Sequence, residues 1–226
     1  MRKKVKSDQS TAHIEPSNKS FFNSKWTYLI VFAIIFLAAI IYYVPSIQGS
    51  SLSAHDYQQG RYNAHQLVEH HAATGEYAKW APNLFSGMPS FQVWMSFNTL
   101  SSWITNTLLG WTNPYIFIGL LISISSVVLF YIMKVHPLIA IIGSFSLMFS
   151  NFTIVSLWAG HNNKVMVMSL VPLTLAGIWA VYERKKYLLG LFIISLSLSL
   201  QVRLNHVQIT YFMMFLVGIW TLFSLA

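Results

Sequence analysis

Long apolar segments separated by short polar ones dominate the chain. The first, TYLIVFAIIFLAAIIYYVP, covers residues 27–45, and at about 1.5 Å per residue it is long enough to cross the ~30 Å apolar core of a bilayer. Further segments of this kind lie at roughly 114–133, 137–157, 165–182, 188–201 and 206–226. The pattern predicts an all-α polytopic membrane protein with about six transmembrane helices.

The first and last apolar segments each raise a question of interpretation. We interpret the first as a retained signal anchor, because a cleaved signal peptide has a shorter apolar core and an A-x-A-like site after it. QVRLNH (201–206) separates the last two segments. It is either a tight turn between two short spans or a break within one bent span. The apolar pattern continues to the final residue, which predicts that the chain is the N-terminal part of a longer protein.

Two polar segments flank the first span. Residues 1–26 are predicted to form a cytoplasmic tail, and residues 46–113 a large first extracytoplasmic loop. Together with the spans, this loop forms the predicted transmembrane domain of residues 27–226.

The composition agrees with a lipid-solvated chain. Hydrophobic residues make up 55% of it and charged residues only 9%, whereas a soluble domain carries about 25% charge. The same numbers exclude intrinsic disorder. The chain has no cysteine, which excludes disulfides, thiol catalysis and cysteine-ligated metals.

The net charge of +8 follows from membrane topology. With the N-terminus in the cytoplasm, ten basic residues lie on the inner side: Arg2, Lys3, Lys4, Lys6, Lys19, Lys25, Lys134, Arg184, Lys185 and Lys186. Four lie on the outer side: Arg61, Lys79, Lys164 and Arg203. This asymmetry obeys the positive-inside rule. It predicts an orientation with the N-terminus in the cytoplasm, and a nucleic-acid partner is not needed to explain the basic charge.

The predicted outer loop contains an amphipathic helix and many aromatic residues. Between residues 54 and 73, apolar side chains recur at helical spacing, which predicts a helix on the membrane surface. Tryptophan and phenylalanine beyond it are typical of an interfacial belt. The loop is longer than a connector requires, which favours a function for it.

Asp56 is the candidate catalytic residue of this loop. A carboxylate close to the membrane surface is partly desolvated and can serve as a general base. The alternative is a cap of the surface helix, since Asp is a favoured N-cap. His55, His65, His70 and His71 with Glu69 also permit a zinc hypothesis, but no ligand signature such as H-E-x-x-H is present. We therefore predict no cofactor; a divalent metal remains an unsupported option.

Two further polar segments interrupt apolar sequence on the predicted outer side. AGHNNK (159–164) lies between the third and fourth spans, and QVRLNHVQITY (201–211) between the last two. Polar residues at membrane depth are costly, so they indicate either function or pairing within the bundle. Lys164 and Arg203 have no obvious acidic partner, and a lipid phosphate fits both, Arg with two parallel donors and Lys as a point charge. The predicted substrate-binding residues are His161, Asn162, Lys164, Arg203, Asn205, His206 and Gln208.

Three motifs together resemble a known family. GEYAKWAPNLFSGMPSFQ (75–92), AGHNNK (159–164) and LNHVQITYF (204–212) are similar to the YfhO-like bacterial membrane proteins of the GT-C glycosyltransferase class. The resemblance implies a polyprenyl-phosphate-linked sugar donor. It also implies a carboxylate in the first outer loop that acts as the general base, and Asp56 occupies the matching place here. GT-C enzymes usually have eleven or more spans, which agrees with the expectation of a longer protein.

The leading hypothesis is sugar transfer from a polyprenyl-phosphate donor to an acceptor at the outer face of the cytoplasmic membrane. Asp56 would deprotonate the acceptor, while Lys164 and Arg203 hold the lipid phosphate. The alternative is a transporter or flippase for a lipid-linked or anionic substrate, for which basic residues lining a cavity are equally suitable. A passive membrane scaffold is disfavoured by the polar outer face.

Overall fold

The computed structural model describes residues 25–50, 55–94 and 100–225. Within them the chain forms ten α-helices: α1 (Lys25–Tyr42), α2 (Val44–Ile47), α3 (His55–Thr74), α4 (Leu100–Trp111), α5 (Pro114–Met133), α6 (Pro137–Met148), α7 (Asn151–Ala159), α8 (Asn162–Tyr182), α9 (Tyr187–Arg203) and α10 (Val207–Leu225). Two short strands, β1 (Trp80–Ala81) and β2 (Met88–Pro89), pair antiparallel and are followed by a 3-10 turn at Ser90–Gln92. The all-α prediction is confirmed for the described part, apart from this small hairpin. The predicted tail, up to residue 24, lies outside the described residues.

Four helical segments are long and apolar enough to cross a membrane: Lys25–Tyr42, Pro114–Met133, Pro137–Ala159 and Asn162–Tyr182. Two further apolar segments, Tyr187–Arg203 and Val207–Phe223, are shorter. The outward faces of these two carry large exposed apolar side chains, among them Leu188, Phe192, Phe215 and Leu216, and soluble monomers rarely expose apolar surface over such an extent. The chain therefore has the helices of a membrane protein. Four of the predicted spans meet the length requirement, and the other two stay predictions.

The helix termini define two ends of the bundle. At one end the Tyr28 hydroxyl of α1 donates to the carbonyl of Val135, which follows α5. At the other, the Asn113 amide, just before α5, donates to the Ser46 hydroxyl at 2.8 Å. We name the first the Arg184 end, after the turn that joins α8 to α9 there. The second is the His161 end, which holds the α7–α8 and α9–α10 turns.

The first residues of α5 and α6 explain where these helices begin. Each starts with proline, at the position where the missing N–H is no loss. Each is preceded by a side chain that accepts a backbone N–H: Asn113 from Tyr115, and His136 from Leu138. The sequence signals N-P and H-P thus fix the start of two spans.

The third predicted span, 137–157, is one apolar segment but not one helix. It is broken into α6 and α7 at Phe149 and Ser150. The Ser150 hydroxyl accepts the N–H of Thr153 at 3.1 Å, and the Thr153 hydroxyl donates to the Leu147 carbonyl at 2.9 Å. These bonds replace the helical ones, so the interruption satisfies its own backbone, as a membrane interior requires. The predicted span at 137–157 is thus present as the segment Pro137–Ala159, and the interruption inside it is a feature that the apolar pattern did not predict.

The core lies around α5 and α8. In these two helices 56% and 61% of the spanning window is buried, against 28% in α1 and 22% in the α6–α7 segment. α8 and α9 approach closely because Gly177 faces Gly190: a Cβ added at Gly177 would lie 2.9 Å from the Gly190 carbonyl oxygen. Small residues are the usual means by which membrane helices come into contact.

Candidate functional site

The AGHNNK motif forms the turn between α7 and α8. Gly160 adopts the left-handed conformation, with φ +95°, that ends many helices and that residues with a Cβ avoid. The N–H of His161 then bonds back to the Ser156 carbonyl at 2.9 Å. α8 begins at the next residue, Asn162. One glycine therefore places His161 at the joint between two helices, at the end of the bundle.

Asp56 reaches the same place from the first loop. The predicted helix over 54–73 is confirmed as α3, which packs against α7. The Asp56 Oδ2 atom lies 3.1 Å from His161 Nε2, and the two side chains are 50% and 45% exposed. Asp56 is the second residue of α3, so it lies inside the first helical turn rather than at the cap position. The structure thus joins the predicted carboxylate to the AGHNNK motif.

His206 lies beside the same motif. It occupies the turn between α9 and α10, so the second half of QVRLNH separates two helices. Burial first, and then the positive charges of Lys164 and His161, hold the pKa of His206 below its usual range. Lys164 itself, in the first turn of α8, has its Nζ atom 4.8 Å from the centre of the Phe152 ring. Two of the predicted motifs therefore meet at the His161 end.

Arg203, the last residue of α9, contacts a residue that sequence reasoning missed. Its Nη2 atom donates to Asn106 Oδ1 of α4 at 3.4 Å. Asn106 belongs to a stretch that we interpreted only as part of an aromatic belt. No local signal marks it, because the contact joins positions 97 residues apart. The described part of the loop of residues 46–113 also holds α4 and the β1–β2 hairpin, which the sequence did not predict, besides α3.

Asn205 and Gln208 have different surroundings. Asn205 has a left-handed backbone, with φ 54°, and its amide donates to the Phe91 carbonyl at 2.6 Å. This bond ties the α9–α10 turn to the first loop. Gln208 is exposed at the start of α10. The assignment of both to a substrate site stays a prediction.

Three polar atoms at this end are buried and have no hydrogen-bond partner among the described residues. They are Asn162 Oδ1, Arg203 Nε and His206 Nε2. Buried polar atoms in native proteins are nearly always bonded to protein, water or ligand. They offer both donor and acceptor capacity beside two cations. The arrangement can bind an anion that also carries hydroxyl groups.

A cavity of about 270 Å³ lies at the same end, between α1, α5 and α7. Its walls are mostly aromatic and aliphatic, and they include Tyr43, Tyr115, Leu157 and Trp158. Trp158 lies in the last turn of α7, just before the Gly160–His161 joint. Apolar volume is therefore present next to the polar cluster.

Two histidines of α3, His65 and His71, make different contacts. His65 Nδ1 pairs with Glu69 Oε2 at 3.3 Å, as their i, i+4 spacing allows, and both side chains are well exposed. His71 instead stacks on Tyr77, with ring centres 4.1 Å apart and nearly parallel planes, and meets the edge of Trp94. Across residues 25–50, 55–94 and 100–225, no three His, Asp or Glu side chains are grouped so as to hold a metal ion.

Comparison with known proteins adds no relative to this picture. No family model, no curated protein and no solved structure matches the chain. The YfhO-like resemblance thus stays a prediction that rests on the three sequence motifs, and a function has to be inferred from the geometry of the His161 end.

Proposed function

We propose that the His161 end binds a polyprenyl-phosphate-linked sugar and takes part in its transfer to an acceptor hydroxyl. The observation that carries the proposal is the contact between Asp56 and His161, 3.1 Å apart in space and 105 positions apart in the chain. A carboxylate held by an imidazole at the membrane surface is suited to accept a proton.

The proposed reaction needs one proton acceptor and one anion site. The acceptor oxygen bonds to the anomeric carbon of the sugar while the bond from that carbon to the phosphate oxygen breaks. The hydroxyl proton passes to Asp56, and the lipid phosphate leaves as an anion. His161 orients Asp56 by donating its Nε2 proton to Oδ2, which leaves the second carboxylate oxygen, Oδ1, for the acceptor.

The surrounding groups suit the leaving phosphate. Lys164 begins α8 and Arg203 ends α9, and neither has a carboxylate within 4 Å among the described residues. The N-terminus of α8 adds the partial positive charge of a helix start. Cations that are in place before the reaction stabilise charge as it develops on the leaving group. The unpaired Asn162 and His206 atoms are available to the sugar hydroxyls.

The membrane-spanning helices and the adjacent cavity suit a lipid-linked donor. The apolar cavity beside Trp158 would take the first part of the isoprenoid chain. The proposal also places the His161 end on the outer face of the cytoplasmic membrane, with the N-terminus inside, as the distribution of basic residues predicts.

A transporter or flippase is the second candidate, and one observation favours it. The α6–α7 segment is interrupted near the His161 end, and α8 carries Pro172 within its length. Interrupted spanning helices are typical of transporters, whose substrates bind at such breaks. In this interpretation Lys164 and Arg203 bind the lipid phosphate while the intact lipid passes between the leaflets, and no bond to the phosphate is broken.

The test is Asp56→Asn in proteoliposomes that contain a radiolabelled polyprenyl-phosphate sugar and an acceptor. We expect transfer to fall by about two orders of magnitude or more, the usual scale for a positioned base, while binding of the donor changes little. Glu76→Gln, an exposed acid of the same loop, is the matched control and should leave transfer unchanged.

Two outcomes would contradict the enzyme proposal. Near-native transfer by Asp56→Asn would remove Asp56 from the chemistry. Movement of labelled donor between leaflets without any transfer, in wild type, would establish the transporter instead.

A further inference from the structure

The Arg184 end contains a basic cavity that the proposed reaction does not use. It has a volume of about 510 Å³ and lies where α5 and α8 end and α9 begins. Its lining consists of Tyr28, Tyr131, Ile132, Lys134, Ala180, Arg184, Lys186 and Leu189. Three of these eight residues are cations, contributed by two separate inter-helix turns, and none is acidic.

The part of the chain that the structure describes supplies no carboxylate to neutralise the charges of this cavity. Glu183 belongs to the same turn as Arg184 but does not line the cavity. Among the described residues, no carboxylate lies within 4 Å of Lys134, Arg184 or Lys186. Three cations within one cavity repel one another, so an anion from outside the chain would stabilise them.

Arg184 is held in place by the backbone of α5. Its Nε atom donates to the Ile132 carbonyl at 2.9 Å and its Nη2 atom to the Met133 carbonyl at 3.1 Å. Two of the five guanidinium N–H groups are used in this way. The other three are not bonded to any residue that the structure describes and can donate to a ligand. The positive charge is therefore fixed before any ligand binds.

Both turns at this end place a lysine where glycine is the usual residue. Lys134 ends α5 with φ 58°, and Lys185 follows α8 with φ 55°. This left-handed conformation is strained for any residue with a Cβ. Packing within the chain does not explain the choice of lysine, because Lys134 and Lys185 are both exposed. Of the two, Lys134 lines the cavity and Lys185 does not, so only the strained backbone at Lys134 points to a function there.

The cavity lies at the ends of membrane-spanning helices, and this location indicates the chemical class of its ligand. Helix ends of spanning segments lie at the level of the lipid headgroups, and basic pockets between such helices bind anionic headgroups. Tyr131, half exposed at the cavity, is a residue type that favours this level. We infer that the Arg184 end binds the phosphodiester headgroup of an anionic phospholipid, with Arg184 on two phosphate oxygens and Lys134 and Lys186 beside them.

The test uses the full chain in nanodiscs of phosphatidylcholine mixed with phosphatidylglycerol. Native mass spectrometry of the released protein measures how much phosphatidylglycerol it retains. The double variant Lys134→Gly with Lys186→Gln removes two cations, and glycine suits the backbone at position 134. We expect retention to fall about 25-fold, because each basic residue near an anionic surface contributes roughly fivefold.

Arg61→Gln with Lys79→Gln is the matched control. It removes the same charge from the first loop, away from the Arg184 end, and should retain phosphatidylglycerol as wild type does. Equal retention by both double variants would overturn the inference. A site for free phosphate instead of lipid would be shown if inorganic phosphate raised the thermal stability of wild type in pure phosphatidylcholine discs, and phosphatidylglycerol did not.

Discussion

Gln201 and Arg203 lie two residues apart near the end of α9, but their polar groups have opposite surroundings. Gln201 is fully buried, and its amide donates to Thr174 Oγ1 at 2.8 Å and accepts from Thr210 at 3.0 Å. Arg203 has its Nε atom buried without a partner in the described part of the chain. Thr174 also bonds Ser197 at 2.7 Å. The hydrogen bonds of Gln201 and Thr174 link α8, α9 and α10. The Nε–H group of Arg203 can instead donate to a ligand or a water molecule.

This difference separates two roles for polar residues in a membrane protein. A network in which each member is satisfied holds helices together. A cluster with unpaired atoms carries a desolvation cost that only a ligand or water can offset. We therefore expect substitutions at the α8–α9 interface to change stability, and substitutions at the His161 end to change binding.

The largest effect is expected for Arg203→Gln. If Arg203 holds a lipid phosphate, the variant should bind the donor more weakly by about 2–5 kcal/mol, the scale for loss of a desolvated charged partner. Arg203→Lys should also bind more weakly, because lysine lacks the planar pair of donors. Thermal stability in detergent should change little, since Arg203 makes only one long hydrogen bond, 3.4 Å to Asn106, and its buried Nε atom has no partner among the described residues.

Donor affinity and melting temperature, measured on the same preparations, decide this point. Arg61→Gln, on the exposed face of α3, is the control and should change neither. A loss of stability with unchanged affinity would make Arg203 a packing residue and would erase the contrast with Gln201.

An intermediate effect is expected for Gly177→Val at the α8–α9 interface. The added side chain would meet the Gly190 carbonyl and the Ile194 backbone N–H, which are 2.9 and 3.0 Å from the Cβ position. Overpacking of this kind costs roughly 1–3 kcal/mol. The variant should melt at a lower temperature, and the fraction that stays folded should bind donor normally.

Gly218→Val is its matched control, because a Cβ at Gly218 in α10 would meet nothing within 4 Å. Thermal unfolding of both variants in the same detergent is the measurement. Equal melting temperatures would mean that the close approach of α8 and α9 is not required for the fold.

The smallest effect concerns pH and His206. Its pKa is lowered in the folded state, first by burial and then by Lys164 and His161, so the unfolded state binds more protons over the interval between the two pKa values. The free energy of unfolding then rises with pH: this contribution is complete above about pH 6.5 and is lost as the pH falls toward the folded pKa. His206→Asn should show a shallower loss of melting temperature between about pH 7 and 5.

Gln208→Asn, an exposed position close to His206 with no titratable side chain, is the control and should follow the wild-type curve. Parallel curves for wild type and His206→Asn would mean that His206 is as well solvated as an exposed histidine. The cluster at the His161 end would then be less desolvated than the Arg203 prediction requires.

Much of this fold could be predicted from local pattern. The apolar runs predicted the four segments that are long enough to span a membrane. The spacing of apolar residues predicted α3, and the proline after Asn113 or His136 marks where α5 and α6 begin. Each of these depends on neighbours within one or two helical turns. The break at Ser150 was missed, because a few small polar residues in an apolar run, here Ser150, Asn151 and Thr153, are usually compatible with a continuous membrane helix.

The sequence by itself determined which residue types are present for chemistry: one carboxylate, two cations and several amides and imidazoles, in three separate segments around Asp56, AGHNNK and QVRLNH. Only the tertiary structure decided which of them meet. It placed Asp56 against His161, joined Arg203 to Asn106, and satisfied Gln201 within the bundle while leaving Arg203 Nε unpaired among the described residues. The physical reason is that such contacts depend on how helices distant in the chain pack, and helical periodicity carries no information about the partner that each face will meet.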